Sequence, residues 1–310
     1  MQLSLVLPCY NEEEVLEETA EKLLILYKGL VASQKIDTSS KIYFIDDGSK
    51  DNTWNIIEAL SQKNKHISGI KLSRNFGHQN ALLSGLLTVD GDAIISIDAD
   101  LQDDTSMIEK MIDKYNDGSE IVYGVKLNRE ADSVFKRTTA KGFYKIMHLM
   151  GVNVVYNHAD FRLLSRNVLN HLKEFKEVNL FLRGLVPLIG YTSSIVSYDI
   201  SERTAGISKY SLRKMLSFAW NGISSLSVTP LRFITTIGFI LFISTLILTL
   251  HSLWVALFTD DAVPGWASTV LPIYFLGGVQ ILSIGIIGEY IGKIYLEIKA
   301  RPRYIIEKKV

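Results

Sequence analysis

Four short apolar runs, residues 3–7, 42–45, 67–72 and 94–97, each stop abruptly in a polar cluster, and each cluster is followed by a helical pattern. Strands alternating with helices at this spacing imply βαβ units. The expected fold class is therefore α/β, Rossmann-like, with a mostly parallel sheet, and 310 residues suffice to bury its core. In the first helix the apolar residues Leu16, Ala20, Leu23, Tyr27 and Leu30 mark the buried face, with Asn11 as a plausible N-cap. Ligands of such sheets bind beyond the carboxyl ends of the strands. Three successive strands deliver acids or amides to that edge: Glu12 and Glu13 after the first, Asp46 and Asp47 after the second, Asn75 after the third.

The fourth strand ends in Asp98-Ala99-Asp100-Leu101-Gln102. In extended backbone, residues two apart point the same way, so Asp98, Asp100 and Gln102 present oxygen on one side. Hard cations such as Mg²⁺ or Mn²⁺ are held by one or two carboxylates, with substrate phosphates completing the shell. A nucleoside diphosphate would fit. The residues alone leave open that Asp98 and Asp100 are turn residues and that Asp103, Asp104 or Thr105 caps the next helix, 107–115. No G-x-G-x-x-G follows the first strand and no P-loop lysine occurs.

Charge excludes a broad class of partners: 33 basic and 33 acidic residues leave no global field for nucleic acid. The single cysteine, Cys9, rules out an intramolecular disulfide and suits a reducing compartment, where a buried thiol is inert. A fifth strand, 121–123, leads into a basic region with Lys126, Arg129, Lys136, Arg137 and Lys141. Asp160, after Asn157-His158, reads locally as a turn or cap residue, and a further strand is expected at 194–198. In Glu202-Arg203-Thr204-Ala205-Gly206-Ile207-Ser208-Lys209-Tyr210, Gly206 permits a tight backbone while Arg203 and Lys209 could clamp phosphate.

Composition shifts near Arg232. Residues 233–258 and 268–291 are apolar over roughly the 20 residues that a bilayer crossing needs. Two transmembrane helices are expected, preceded by an amphipathic interfacial helix at 210–231 anchored by Trp220. The segment between the runs has no Lys or Arg, whereas Arg232, Lys293, Lys299, Arg301, Arg303, Lys308 and Lys309 flank them outside. By the positive-inside rule both termini are cytoplasmic, giving a multi-pass protein of the bacterial cytoplasmic membrane. The expected division is a catalytic domain at 1–209, the interfacial helix at 210–231, a two-helix hairpin at 232–292 and a basic tail at 293–310. Gly288 and Gly292, four apart, allow a homo-oligomer through close helix approach.

Pro8-Cys9-Tyr10-Asn11-Glu12-Glu13, Asp46-Asp47-Gly48-Ser49-Lys50-Asp51, Asp98-Ala99-Asp100-Leu101-Gln102 and the 203–210 loop together resemble the family-2, GT-A-fold inverting glycosyltransferases that act on polyprenyl phosphates. Asp160-Phe161-Arg162-Leu163-Leu164-Ser165-Arg166, Gly288-Glu289-Tyr290-Ile291-Gly292 and Arg301-Pro302-Arg303-Tyr304 look most like the bactoprenol-phosphate glucosyltransferases within that group. The resemblance implies transfer of a hexose from a nucleotide sugar, UDP-glucose first among the candidates, to undecaprenyl phosphate in the membrane lipid. It places Pro8, Tyr10, Glu12, Asp46 and Asp47 at the nucleotide and Asp98, Asp100 and Gln102 at the metal and diphosphate. It also implies phosphate contacts from Lys126, Arg137, Arg203 and Lys209, and a catalytic Asp160. Two positions depart from the pattern: Lys126 stands where relatives often have Arg, losing bidentate geometry, and His78 stands where Lys is common. Other sugars, including N-acetylglucosamine, galactose, mannose and aminoarabinose, fit the same motifs. A non-catalytic membrane scaffold would be expected to have lost the acidic motif, which is intact.

Overall fold

The computed structural model describes residues 1–100, 102–126, 158–178, 181–198, 223–224, 227–258 and 266–310. The N-terminal half follows the strand–helix alternation: β1 Leu3–Cys9, α1 Leu16–Ala32, β2 Lys41–Asp46, α2 Thr53–Lys63, β3 Ile67–Leu72, α3 His78–Thr88, β4 Ala93–Ser96 and α4 Met107–Asn116. Then come β5 Ile121–Lys126, β6 His158–Ser165, α5 Arg166–Leu172, α6 Leu182–Leu188 and β7 Ser193–Tyr198. Two long helices, α7 Thr229–Phe258 and α8 Trp266–Lys299, precede a last strand, β8 Ile306–Lys309.

The strands form one sheet in the order β7-β5-β6-β4-β1-β2-β3-β8. The sheet is mixed, which corrects the expectation of a mostly parallel one. Pairs β1–β2, β1–β4, β2–β3 and β5–β7 are parallel, whereas β4–β6, β5–β6 and β3–β8 are antiparallel. The parallel block is where βα units were legible. Strand β6 breaks the pattern by running between β4 and β5, with Ser96 opposite Arg162. β8 adds the far edge: the segment expected as a basic tail returns to pair Lys309 with Ile70.

Side-chain alternation splits the core into two layers. On β1, Leu3, Leu5, Leu7 and Cys9 pack with Leu16, Leu23 and Ile57 of α1 and α2, while Val6 faces Leu82, Leu83 and Leu86 of α3. On β6, Phe161 and Leu163 join the first layer and Leu164 the second. Asp160 and Arg162 therefore share the α3 side with Leu164. Each fully buried aliphatic chain contributes about 1.5–3 kcal/mol, so burial on both faces fixes the register of the central strands. Helix α3 sits close to the sheet: a Cβ on Gly85 would lie 2.5 Å from Val6 Cγ1 and 2.9 Å from Ile45 Cγ1.

Among the described residues, one helical segment, Phe275–Lys299, is long and apolar enough to cross a membrane, and it is unburied. The apolar segment Thr229–Leu241 is too short. The two-span hairpin and the multi-pass localisation are corrected accordingly to one candidate segment. Its end touches the α/β domain: the Val178 N–H donates to Glu297 Oε2 at 2.8 Å, and Arg303 Nη1 donates to the Phe175 carbonyl at 2.9 Å.

Candidate functional site

Three strand-end loops are tied to one another. The Asn11 N–H donates to Ser49 Oγ at 3.0 Å, Asn11 Oδ1 accepts from the Lys50 N–H at 2.9 Å, and the Glu12 N–H donates to Thr53 Oγ1 at 2.9 Å. Asn11 is thus a loop tie at φ +54° rather than the N-cap expected of it; α1 begins later, after Val15. Both carboxylate oxygens of Asp47 accept backbone N–H bonds, from Phe76 at 2.7 Å and Gly77 at 2.9 Å. Gly48 permits this closeness: its φ is +65°, and a Cβ there would lie 2.4 Å from the Arg74 carbonyl carbon.

Around these loops, Pro8 closes the buried end of β1 beside an exposed Tyr10. Asp46 is fully buried at the end of β2; its Oδ1 accepts from the Ser49 N–H at 3.1 Å, while Oδ2 has no hydrogen-bond partner. Desolvation raises the pKa of both Asp46 and Asp47 despite these bonds. A buried carboxylate oxygen with an open lone pair is suited to an incoming N–H or O–H donor.

Asp98 and Asp100 follow β4, and the Gln102 N–H donates to Asp100 Oδ1 at 3.2 Å. Burial pushes the Asp98 carboxyl up to about 6, opposed by His78 and reinforced by Asp160, Asp103 and Asp100. Asp103, read from sequence as a possible cap, is buried instead. Its Oδ1 accepts from the Tyr198 hydroxyl at 2.5 Å and lies 3.1 Å from Lys126 Nζ. Lys126 thus meets a buried acid at the ends of β5 and β7. Arg137, Arg203 and Lys209 lie outside the described residues.

Asp160 is the best-partnered acid of the site. Arg162 Nη2 donates to Oδ1 at 2.8 Å, Arg183 reaches Oδ1 through Nε at 3.3 Å and Oδ2 through Nη2 at 3.1 Å, and His78 Nε2 lies 3.5 Å from Oδ2. Desolvation would raise the Asp160 pKa, but Arg183, His78 and Arg162 outweigh it and hold the carboxyl well below its ordinary range. His78 shows the mirror effect: desolvation disfavours its charge, yet Asp160 and Asp98 raise its pKa. The cluster follows from the fold, since β6 alternation puts Asp160 and Arg162 on the α3 face. There the first residue of α3, His78, and the first turn of α6, with Arg183, converge on them. Sequence reading noted His78 and Arg162 but missed Arg183, which no local pattern distinguishes.

Among the described residues no group of three or more His, Cys, Asp or Glu side chains could hold a metal ion. Asp98 and Asp100 are near enough for their charges to interact, and a hard cation needs only one or two carboxylates when substrate phosphate completes its shell. The family model "Glycosyl transferase family 2" matches residues 4–173, which carry β1 to β6 and most of these acids. The chain belongs to glycosyl transferase family 2. This glycosyltransferase is 50% identical over 307 residues to the uncharacterized glycosyltransferase YkoT of Bacillus subtilis, covering 98% of this chain and 91% of that one. It is 40% identical over 313 residues to the SfII prophage-derived bactoprenol glucosyl transferase of Shigella flexneri, covering 99% and 98%. Its fold is shared with mannosyl-3-phosphoglycerate synthase from Rubrobacter xylanophilus, at TM-score 0.50 and 15% identity over 77% of this chain and 75% of that one. The mannosyltransferase PcManGT from Pyrobaculum calidifontis, solved with GDP-Man and Mn²⁺, also has TM-score 0.50, at 14% identity over 72% and 63%. The enzyme uses a nucleotide-sugar donor, as the family reaction requires.

Proposed function

We propose that this enzyme transfers a hexose, glucose from UDP-glucose in the first instance, to undecaprenyl phosphate with inversion at the anomeric carbon. The observation that carries this reading is near end-to-end likeness to bactoprenol glucosyl transferases, 40% identical over 99% of this chain and 98% of the Shigella flexneri protein. The exposed apolar segment Phe275–Lys299, docked through Glu297 and Arg303 on the α/β domain, supports a lipid acceptor.

On this reading an oxygen of the lipid phosphate attacks the anomeric carbon as the bond from that carbon to the diphosphate oxygen breaks. The nucleoside diphosphate leaves with the electron pair. Asp46, with its unpartnered Oδ2, and Pro8, Tyr10 and Glu12 around it receive the nucleotide, while Asp47 holds the 73–77 loop in place. Asp98 and Asp100, with Gln102 beside them, would hold Mg²⁺ or Mn²⁺, which when bound supplies charge neutralisation at the diphosphate. Lys126, Arg137, Arg203 and Lys209 would contact phosphate. A phosphate monoester has a second pKa of about 6 and is largely ionised at neutral pH, so the acceptor needs no base to become nucleophilic. Asp160, held ionised by Arg183, His78 and Arg162, then serves by position and charge.

The test is a panel of labelled UDP- and GDP-sugars offered with undecaprenyl phosphate to the purified full chain, scored as label in the lipid fraction. Transfer from UDP-glucose above all other donors is expected. Silence with every donor under both Mg²⁺ and Mn²⁺ would overturn the reading.

A further inference from the structure

The Asp160 cluster gathers three basic side chains around one carboxylate. One carboxylate faces two guanidiniums, Arg162 and Arg183, and an imidazole whose Nε2 also lies 3.7 Å from Asp98 Oδ1. Arg162 alone would neutralise Asp160, and it does so from the interior.

Exposure is graded outward across the cluster. The side chain of Arg162 is 0% exposed and that of Asp160 11%, against 28% for Arg183 and 46% for His78. A ligand arriving from solvent therefore meets Arg183 and His78 before it meets the carboxylate. Two donors of Arg183 on the two oxygens of Asp160 fix the guanidinium plane, as in any fork-to-fork pair. His78 stands between this fork and Asp98, the acid at the end of β4 where the donor's diphosphate is expected. An anion bound by Arg183 and His78 would lie alongside that diphosphate, within reach of the sugar it carries.

We propose that Arg183 and His78 form the subsite for the acceptor's phosphate monoester, and that Asp160 is the positioning residue that holds both. This rests on the transfer reading above. Such a subsite neutralises the nucleophile's charge enough for it to approach a diphosphate, and immobilises it against the anomeric carbon. Arg162 is the counter-charge that lets Asp160 stay ionised beneath an anion-binding rim. The bond-making step is unchanged: the phosphate oxygen forms the bond to carbon, the diphosphate leaves, and no proton passes to Asp160.

The experiment uses the purified full chain, the nucleotide sugar that the wild type turns over, and undecaprenyl phosphate. Variants Arg183→Gln, Arg183→Lys, His78→Gln and Asp160→Asn are compared by KM for each substrate and by kcat, with inorganic phosphate as a competing anion. Arg183→Gln is expected to raise the acceptor KM by about tenfold or more, the loss of a charge-assisted hydrogen bond, while the nucleotide-sugar KM stays within about twofold. Arg183→Lys, which keeps the charge but loses the fork, is expected to recover part of that loss. Phosphate should compete with the acceptor in the wild type and weakly in Arg183→Gln. Asp160→Asn should raise the acceptor KM in the same direction. If the glutamine variant is thermally compromised, the lysine variant decides by the same split in KM. An unchanged acceptor KM in both Arg183→Gln and His78→Gln, with wild-type turnover intact, overturns the subsite alone. A wild type that makes no lipid-linked sugar overturns the transfer reading and the subsite with it.

Discussion

Replacing Arg162 by methionine removes the innermost partner of Asp160 while keeping the volume of a long, fully buried side chain. Breaking a buried ion pair from one side typically costs about 3–5 kcal/mol, because the remaining charge is left uncompensated. Two features of this site reduce that figure. Asp160 keeps Arg183 and the nearby His78, and Arg162 Nε, buried without a hydrogen-bond partner, no longer has to be desolvated. An unsatisfied buried donor costs about 1–3 kcal/mol, so the net loss is expected at about 2–3 kcal/mol. At roughly 2–4 °C per kcal/mol for a domain of this size, the melting temperature should fall by about 4–12 °C. The assay is thermal unfolding of the full chain followed by near-UV circular dichroism across pH. Asp160 has a depressed pKa in the folded state, so its ionic contribution is present above the unfolded carboxyl value and is lost as pH falls through the folded one. The gap between wild type and Arg162→Met should therefore be widest near neutrality and close at acid pH. The pair Arg162→Met with Asp160→Leu should be more stable than Arg162→Met alone. A double variant no more stable than the single one, or a gap independent of pH, would refute the assignment of the cost to a stranded carboxylate.

Gly48→Ala should cost about 2 kcal/mol or more, since an L side chain at φ +65° loses about 1–2 kcal/mol and its Cβ also meets Arg74 backbone; a melting temperature equal to wild type would contradict this. Tyr198→Phe removes the hydroxyl donor from buried Asp103, leaving Lys126 as its charged partner, and should lower stability by about 1–3 kcal/mol in the same unfolding assay. EDTA should abolish sugar transfer, and added Mn²⁺ or Mg²⁺ should restore it. Asp98→Asn should shift the metal concentration needed for half-maximal activity upward, read from initial rates across a metal titration.

The parallel block was legible because its strands are continuous apolar runs and α1 repeats its buried residues at helical spacing. Leu16, Ala20, Leu23, Tyr27 and Leu30 are all buried. Strand β6 was not legible, since Asp160 and Arg162 put two charges into a strand and the local sequence mimics a turn. Only the partners brought from α3 and α6 make those charges tolerable in the interior. β8 was hidden for the opposite reason: Ile306-Glu307-Lys308-Lys309 has the composition of a solvated tail, and its charged side chains belong to a sheet edge. Apolar length was over-read in the C-terminal third. A candidate span needs helix length as well as apolar composition, and among the described residues Phe275–Lys299 meets both while the apolar segment Thr229–Leu241 falls short in length.

The return of β8 makes the α/β sheet of this enzyme discontinuous along the chain. Lys71 pairs with Glu307, 236 positions away, and Gly69 exchanges both backbone hydrogen bonds with Val310. Cutting the chain before the long helices, the natural way to obtain a tractable catalytic fragment, would strip β3 of its neighbour. The uncovered row of N–H and C=O groups is a template for pairing with another molecule. A fragment that joins residues 1–228 to 300–310 through a flexible linker keeps that edge closed and retains Arg203 and Lys209, and is the shorter form to build first.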